Sequence, residues 1–234
     1  MAQQNGIGFN ANQIKVLAIG TMVLDHGASV LLETSSWEWC LRLLGRLTAP
    51  VMCFFIAEGY HHTSNLKKYM GRLLLLAVIS HVPFHLCFGQ DVRAIWRSTD
   101  VGFSLLFGLV ALTIWDRSKI SLLKKCMGLA LCCLLAYSAD WNYIAVLWIL
   151  GFGIFYGDRQ KQSLFFCMIA GIYLAQSLIY DSSLSLSRFG VFLAIPLLWH
   201  YNGERDKKSK WIQQGFYWFY PDHLLLIAWI HAVF

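Results

Sequence analysis

The chain has 234 residues, of which 57% are apolar and only 14% carry a charge, whereas an ordinary soluble domain carries about 25% charge. This composition excludes a simple soluble globule and is typical of an integral membrane protein. The formal net charge of +6 is explained by basic loops on one side of a membrane, so it indicates no nucleic-acid partner.

Nine apolar runs follow one another along the chain, and each needs roughly 20 residues to cross a bilayer. Nine spans take up nearly the whole sequence, which leaves no room for a second folded domain. We therefore predict an all-α, polytopic integral membrane helix bundle of about nine transmembrane helices, forming one domain over residues 1–234. The predicted spans are 14–32, 39–59, 69–88, 101–115, 122–138, 142–156, 163–179, 186–200 and 216–234.

Basic residues between these runs alternate loop by loop, and such residues accumulate on the cytoplasmic side. Only Arg93, Arg97 and Arg188 fall on the opposite side. This pattern predicts a cytoplasmic N-terminus and a C-terminus outside. The cytoplasmic set is Lys15, Lys67, Lys68, Arg72, Arg117, Lys119, Lys124, Lys125, Arg159, Lys161, Arg205, Lys207, Lys208 and Lys210.

The first run is predicted to be a retained span rather than a cleavable signal, because no charge precedes Lys15 and an Asp-His pair interrupts the run. The seven cysteines lie in or beside apolar stretches and include no C-x-x-C pair. We interpret them as small packing residues, without a zinc or disulfide framework. They are Cys40, Cys53, Cys87, Cys126, Cys132, Cys133 and Cys167.

Arg42, Arg46 and Asp25 are charged residues well inside the predicted spans. Arg42 and Arg46 are four residues apart, so they share one helix face; Arg42 can extend to the outer surface, whereas Arg46 needs a partner or a wet cavity. Asp25 lies deep in the first span, where an ionisable group is expensive enough to indicate function. We expect Asp25 to pair with Arg46 or with another span.

Lys15 and His26 are eleven residues apart, which puts them on one stripe of a helix at a separation of about 16 Å. One elongated ligand could therefore contact both. A cation at the cytoplasmic mouth suits an anionic headgroup, and the imidazole of His26 can accept a proton near neutral pH. The alternative is a buried polar cluster that only fixes helix packing.

Glu58, His61 and His62 lie at the end of the second predicted span, at spacings of three and four residues. This arrangement could bind a metal, although it is not the H-E-x-x-H pattern. We consider a phosphate-bearing cofactor more compatible with it, because basic residues follow directly. A plain interfacial loop explains those basic residues equally, but not the acid with two imidazoles. The basic residues are Lys67, Lys68 and Arg72.

His81 and His85 flank Pro83 near the outer end of the third predicted span, and we interpret them as interfacial histidines. The last predicted span opens with an aromatic belt that ends at Tyr220, and Asp222-His223 follow. Packing and a role in a substrate site, with Tyr220 and His223 as its contacts, remain open for this segment.

These segments resemble the TraX family over nearly the whole chain. The first block, with a basic residue, ten residues and then His, is also similar to a wider group of membrane acyltransferases, which Lys15 and His26 match. The matching blocks are Ile14 to Ile19, Met22 to His26, Gly45 to Pro50, Ala57 to Asn65, Lys68 to Leu73, Ser80 with Pro83-Phe84, and Phe216 to Leu224.

The resemblance implies a bacterial inner-membrane acetyltransferase that takes acetyl from cytoplasmic acetyl-CoA to an amine or hydroxyl acceptor, such as a peptide or pilin N-terminus. It implies that His26 is the catalytic base, that Asp25 supports it, and that Arg46 and Glu58 belong to the core of the site. The donor would bind at Lys15 and the basic segment. Whether His61 or His62 faces the site, and whether acetyl passes directly or through His26, stay open.

Two alternatives come from other classes of protein. A secondary transporter or proton-coupled carrier could use Asp25, His26 and Glu58 as an ion relay. The apparently unrepeated layout and the basic mouth count against it. A zinc-dependent membrane hydrolase would need a stoichiometric metal ion.

Overall fold

The computed structural model describes residues 8–32, 37–91, 97–180, 186–204 and 210–233. Several residues counted for orientation lie outside these ranges, namely Arg93, Arg205, Lys207 and Lys208, and the side chain of Lys210 is also outside the description. The helices are α1 (Ala11–Leu31), α2 (Glu38–Gly45), α3 (Thr48–His62), α4 (Leu66–Cys87), α5 (Val101–Asp116), α6 (Leu122–Leu135), α7 (Asn142–Ile154), α8 (Arg159–Tyr180), a 3-10 helix (Leu186–Leu193), α9 (Ala194–Trp199) and α10 (Lys210–Val233).

Three helical stretches are long and apolar enough to cross a membrane: Ala11–Leu31, Glu38–His62 and Leu66–Cys87. Shorter apolar helices cover Val101–Asp116, Asn142–Ile154 and Leu186–Trp199. The described chain is therefore a helical bundle of membrane type, as its composition predicts. The number of nine spans and their orientation stay predictions.

Polar side chains at several helix starts explain where those helices begin. Asn10 and Gln13 form a reciprocal capping box at the start of α1, with both hydrogen bonds at 2.9 Å. Asn65 accepts from the backbone N–H of Lys68 at the start of α4, and Asp100 accepts from that of Gly102 at the start of α5. These caps satisfy N–H groups that have no partner within the helix.

The second predicted span is interrupted rather than continuous. Residue 45 ends α2 and Thr48 begins α3. Pro50 lies in the first turn of α3, where a proline is tolerated because its missing N–H has no helical partner. A methyl group added at Gly45 would overlap the side chain of Asp25, so glycine allows α2 to lie directly against α1.

The predicted span 186–200 also has a different form. It begins as a 3-10 helix and continues as the six-residue α9. The backbone of Gly190 lies against the carbonyl oxygen of Leu43, so the 3-10 helix packs tightly on α2. Together the two glycine contacts, at Gly45 and Gly190, hold α2 between α1 and the 3-10 helix.

The bundle has two ends, which we name by two residues of α1. At the Lys15 end, Phe9 pairs through its backbone with His200 and Asn202, at 2.8 and 3.0 Å. At the His26 end, the loops before α5 and α7 meet: Thr99 donates to Ser138 at 2.8 Å. All described members of the predicted cytoplasmic basic set belong to segments at the Lys15 end.

The interior is densely apolar, and the outer surface is apolar as well. Fully buried side chains include Ile14, Leu109 and Trp148. On the outside, Leu123 of α6 and Leu164 of α8 are 72% and 71% exposed. A continuous apolar exterior of this kind is stable against lipid rather than water.

Candidate functional site

His26 and His223 form the centre of the site at the His26 end. The Nδ1 atom of His26 lies 2.8 Å from Nε2 of His223. The two rings are tilted by only 12° and their centroids are 5.1 Å apart, which is the geometry of a hydrogen bond within the ring plane. The sequence predicted both residues as site members, and the structure brings them together from α1 and α10.

The hydrogen bonds of this pair determine where the protons lie. Nδ1 of His223 is 2.9 Å from the carbonyl oxygen of Phe219, and a carbonyl can only accept, so this nitrogen carries a proton. In a neutral pair, Nε2 of His223 is then an acceptor and Nδ1 of His26 donates to it. Nε2 of His26 is left with a lone pair, because the bond made by one ring nitrogen fixes the state of the other.

Aromatic rings surround the imidazole of His26. The ring of Phe88 is edge-on to it at 5.5 Å and the ring of Tyr220 at 6.5 Å. Phe219 lies parallel to the other imidazole at 5.2 Å. These contacts restrict the ring rotation of both histidines, so the lone pair of His26 has a fixed direction.

Asp25 faces two guanidinium groups, as its depth in α1 predicts. Nε of Arg42 and Nε of Arg46 each lie 3.8 Å from the same carboxylate oxygen. Arg42 also donates to Glu38 at 3.0 Å. The predicted pairing of Asp25 with Arg46 is therefore present in the structure, and Asp25 does not form a dyad with His26.

Arg46 is further positioned by a strained loop. Its guanidinium lies 5.4 Å from the centroid of the Trp141 ring, a favourable cation–π distance. Trp141 has φ 62° and Asn142 has φ 34°, conformations that non-glycine residues rarely adopt. The ring of Trp141 also stacks on Tyr173 at 5.3 Å. Strain of this kind is retained where the surrounding contacts over-determine a position.

Asp100 is fully buried where α5 begins, beside α10. One carboxylate oxygen accepts from Gly102 at 2.7 Å, and the other has no hydrogen-bond partner. The hydroxyl of Tyr220 is buried without a hydrogen-bond partner as well. Burial raises the pKa of the Asp100 carboxyl to about 7 and that of Asp140, in the neighbouring loop, to about 6.

We expect the free energy of unfolding to depend on pH because the Asp100 carboxyl titrates. Because the pKa of Asp100 is raised in the folded state, the folded protein binds more protons between about pH 4 and 7. The stabilising contribution of the neutral Asp100 carboxyl is fully present below pH 4. It is lost as the pH rises through 7, which lowers the free energy of unfolding by up to about 4 kcal/mol. Asp100→Asn keeps the cap and removes the charge, so its melting temperature should increasingly exceed that of the unmodified protein above pH 5.

Thermal unfolding in detergent between pH 4.5 and 8 measures this difference. Asp91→Asn is the matched control, since Asp91 is exposed in the same loop. A constant offset between Asp100→Asn and the unmodified protein across this range would contradict the prediction.

Glu58, His61 and His62 lie at the Lys15 end and do not form one ligand set. Oε2 of Glu58 is 3.3 Å from Nε2 of His62, whereas Nε2 of His61 lies 3.0 Å from the carbonyl oxygen of Gly153. Tyr156 connects the two imidazoles: it stacks on His61 at 4.0 Å and its hydroxyl is 2.8 Å from His62. Among the residues that the structure describes, no three His, Cys, Asp or Glu side chains are grouped to hold a metal ion.

The predicted donor-binding cations are spread around the same end. Nζ of Lys15 lies 4.8 Å above the ring of Phe55, and the guanidinium of Arg72 is 5.7 Å from the ring of Tyr69. Lys67 and Lys68 are exposed in the first turn of α4. Lys67 lines an open cavity of about 580 Å³ between α4 and α5.

The two groups of predicted site residues are far apart. The hydroxyl of Thr48 donates to the carbonyl of Ala18 at 2.9 Å, where α1 and α3 cross. From there, α1 runs eight residues to His26 and α3 runs ten residues the other way to Glu58, about 27 Å in all at 1.5 Å per residue. The structure therefore does not place Glu58 beside His26, although the sequence grouped them as one catalytic set.

Sequence reasoning missed Phe88, Trp141 and Tyr156 as neighbours of the site. Each is an aromatic residue near a helix end, and the sequence contains many of these. No local pattern distinguishes the left-handed backbone of Trp141. Phe88 contacts His26 only because α10 packs against both α4 and α1. The polar pattern identified the ionisable residues but not the rings that orient them.

Comparisons with known proteins support the family resemblance that the sequence blocks indicate. A family model described as TraX protein matches residues 10–231. The chain is 36% identical over 237 residues to the protein named "Probable fimbrial assembly protein FimC, serogroup H1" from Dichelobacter nodosus, and the match covers 95% of this chain and 96% of that protein. No solved structure matches the chain.

Proposed function

Because the chain belongs to the TraX family, we propose that it is a multi-pass acetyltransferase of the bacterial inner membrane, with acetyl-CoA as donor substrate and His26 as general base. The observation that carries this proposal is the hydrogen-bond chain from Phe219 through His223 to His26. These hydrogen bonds leave Nε2 of His26 as a proton acceptor with a fixed direction, which general-base catalysis requires.

In the proposed reaction, Nε2 of His26 takes a proton from the acceptor amine or hydroxyl as that group attacks the thioester carbonyl carbon. A bond from the acceptor to the acetyl carbon forms, and the carbon–sulfur bond then breaks. The proton held by His26 goes to the departing CoA thiolate, which restores the neutral imidazole. Nδ1 of His26 keeps donating to His223 throughout, and this bond strengthens while His26 is positively charged.

Arg46 is the proposed stabiliser of the oxyanion that forms at the carbonyl carbon. Its guanidinium is held between Asp25 and Trp141, so it is already ordered before charge develops. A donor group fixed in a dry site stabilises a transient anion more strongly than a mobile one. Asp25 limits the cost of burying this cation, which is the supporting role that we propose for it.

We propose that the phosphates of acetyl-CoA bind at the Lys15 end. Basic side chains gathered at this end favour binding of an anion. Lys15 lies about 16 Å from His26 along α1, so an extended donor would reach from its headgroup to the reacting thioester. The proposed contacts are Lys15, His61, His62, Lys67, Lys68 and Arg72, with Glu58 orienting His62.

The proposed acceptor is a subunit of a surface fimbria. The name of the Dichelobacter nodosus relative refers to fimbrial assembly, and this supports a fimbrial subunit as the natural acceptor. We propose its N-terminal amine as the acetylated group, with Tyr220 and His223 at the substrate side of the site. A small amine or hydroxyl would react by the same chemistry.

Transfer of radiolabelled acetyl from acetyl-CoA to a pilin-type N-terminal peptide, measured with the purified protein in proteoliposomes, tests this function. We expect time-dependent label in the peptide and release of free CoA in equal amounts. A proton-coupled carrier would instead bind no acetyl-CoA and would move solute across the vesicle membrane. Solute transport without acetyl-CoA binding would overturn the proposal.

A further inference from the structure

A groove runs along the outside of the bundle over α4, α5 and α6. It consists of the cavity of about 580 Å³ beside Lys67 and a second cavity of about 300 Å³. Met70, Val110 and Ile114 line both cavities, so the two form one continuous depression. Its combined size is in the range of small-molecule sites, about 300–1,000 Å³.

The two halves of this groove differ in chemistry. The half at the Lys15 end is lined by Ser64, Asn65 and Thr113 together with the cations Lys67 and Arg117, and no acid is among its lining residues. The other half is lined by apolar and small side chains throughout. They include Leu74, Leu106, Phe107, Leu131, Cys132 and Leu135.

The apolar half is open to the outside of the bundle, where acyl chains would lie. Leu74 and Leu131 are 47% and 55% exposed along its walls. At Gly71 an added methyl group would meet no atom within 4 Å. Gly71 is exposed and lines the apolar half, so a larger side chain at this position has open space to occupy there.

From this geometry we infer that the groove binds an anionic glycerophospholipid, with the phosphate between Lys67 and Arg117 and an acyl chain along the apolar half. Opposite charge attracts the headgroup, since each basic residue near an anionic membrane surface contributes about 1 kcal/mol, or about fivefold in affinity. The acyl chain lies against hydrocarbon side chains. This inference goes beyond the proposed function: Lys67 is shared with the proposed donor site, whereas Arg117 and the apolar half of the groove are not.

Native mass spectrometry of the full protein in mild detergent, titrated with dioleoylphosphatidylglycerol or dioleoylphosphatidylcholine, tests the inference. We expect the anionic lipid to bind at least about tenfold more tightly than the zwitterionic lipid with the same chains. Gly71→Leu adds a bulky side chain to the apolar half of the groove and is expected to weaken binding of the anionic lipid about tenfold. Arg117→Gln is expected to weaken it about fivefold.

Gly171→Leu is the matched control, since position 171 on α8 is also open and lies outside the groove. Inorganic phosphate is tested as a third ligand beside the two lipids, because it carries the headgroup charge without acyl chains. Equal affinity for the two lipids, unchanged binding by both Gly71→Leu and Arg117→Gln, or displacement of the lipid by millimolar phosphate would each overturn the inference. If Gly71→Leu does not fold, Arg117→Gln alone decides it.

Discussion

His26→Ala is expected to lower the rate of acetyl transfer by about 10²–10⁴-fold, the usual contribution of a general base. The reason is structural: Nε2 of His26 is the ring nitrogen left unprotonated by the bond to His223. The measurement is transfer of label from acetyl-CoA to the acceptor peptide by protein in proteoliposomes.

The control for this substitution is His231→Ala, which removes an exposed imidazole near the end of α10 and should leave transfer unchanged. Melting temperature and size-exclusion profile establish that each variant is folded. Turnover by folded His26→Ala at the rate of the unmodified protein would remove His26 from the reaction.

His223→Leu is expected to lower kcat about 10- to 100-fold while KM for acetyl-CoA stays unchanged. His223 acts as a positioning residue: its Nε2 accepts from His26 and so selects the reactive tautomer. Loss of a group that orients a functional imidazole typically costs this much. An effect on kcat alone indicates an interaction made in the transition state rather than in donor binding.

Two further variants separate positioning from packing. His223→Gln retains an acceptor oxygen and should recover part of the lost rate, whereas a merely structural role would not distinguish Gln from Leu by hydrogen bonding. His231→Leu makes the same replacement at an exposed imidazole on the same helix and should have no effect. Equal, fully active Leu and Gln variants would show that His223 does not orient the base.

The ionisable pairs of the site could be predicted because charge inside an apolar segment is costly and needs a partner. On that ground the sequence predicted Asp25 opposite Arg46 or another span, and in the structure it lies opposite Arg46. The bond between His26 and His223 could not be predicted, since their separation of 197 residues carries no periodic signal. Only the packing of α10 against α1 brings them together.

The helical class and the apolar segments were also predictable, but the interruption of the second span was not. Gly45 and Pro50, five residues apart, were the available signal. In a membrane segment the same residues are tolerated inside continuous helices, so hydropathy alone favoured one unbroken span. The distance between Glu58 and His26 could not be predicted for a related reason, because family blocks give sequence order and not depth in the bundle.

The tight crossing at Gly45 couples the charges of residues 25, 42 and 46, so that each of them depends on the others for compensation. Backbone lies directly against the Asp25 side chain there, so water has little access from that side and the negative charge is balanced mainly by two neighbouring cations. Removing the acid alone would leave like charges facing each other in a poorly hydrated space. We expect these three residues to be replaced together, or not at all, among related proteins whose sequences have diverged.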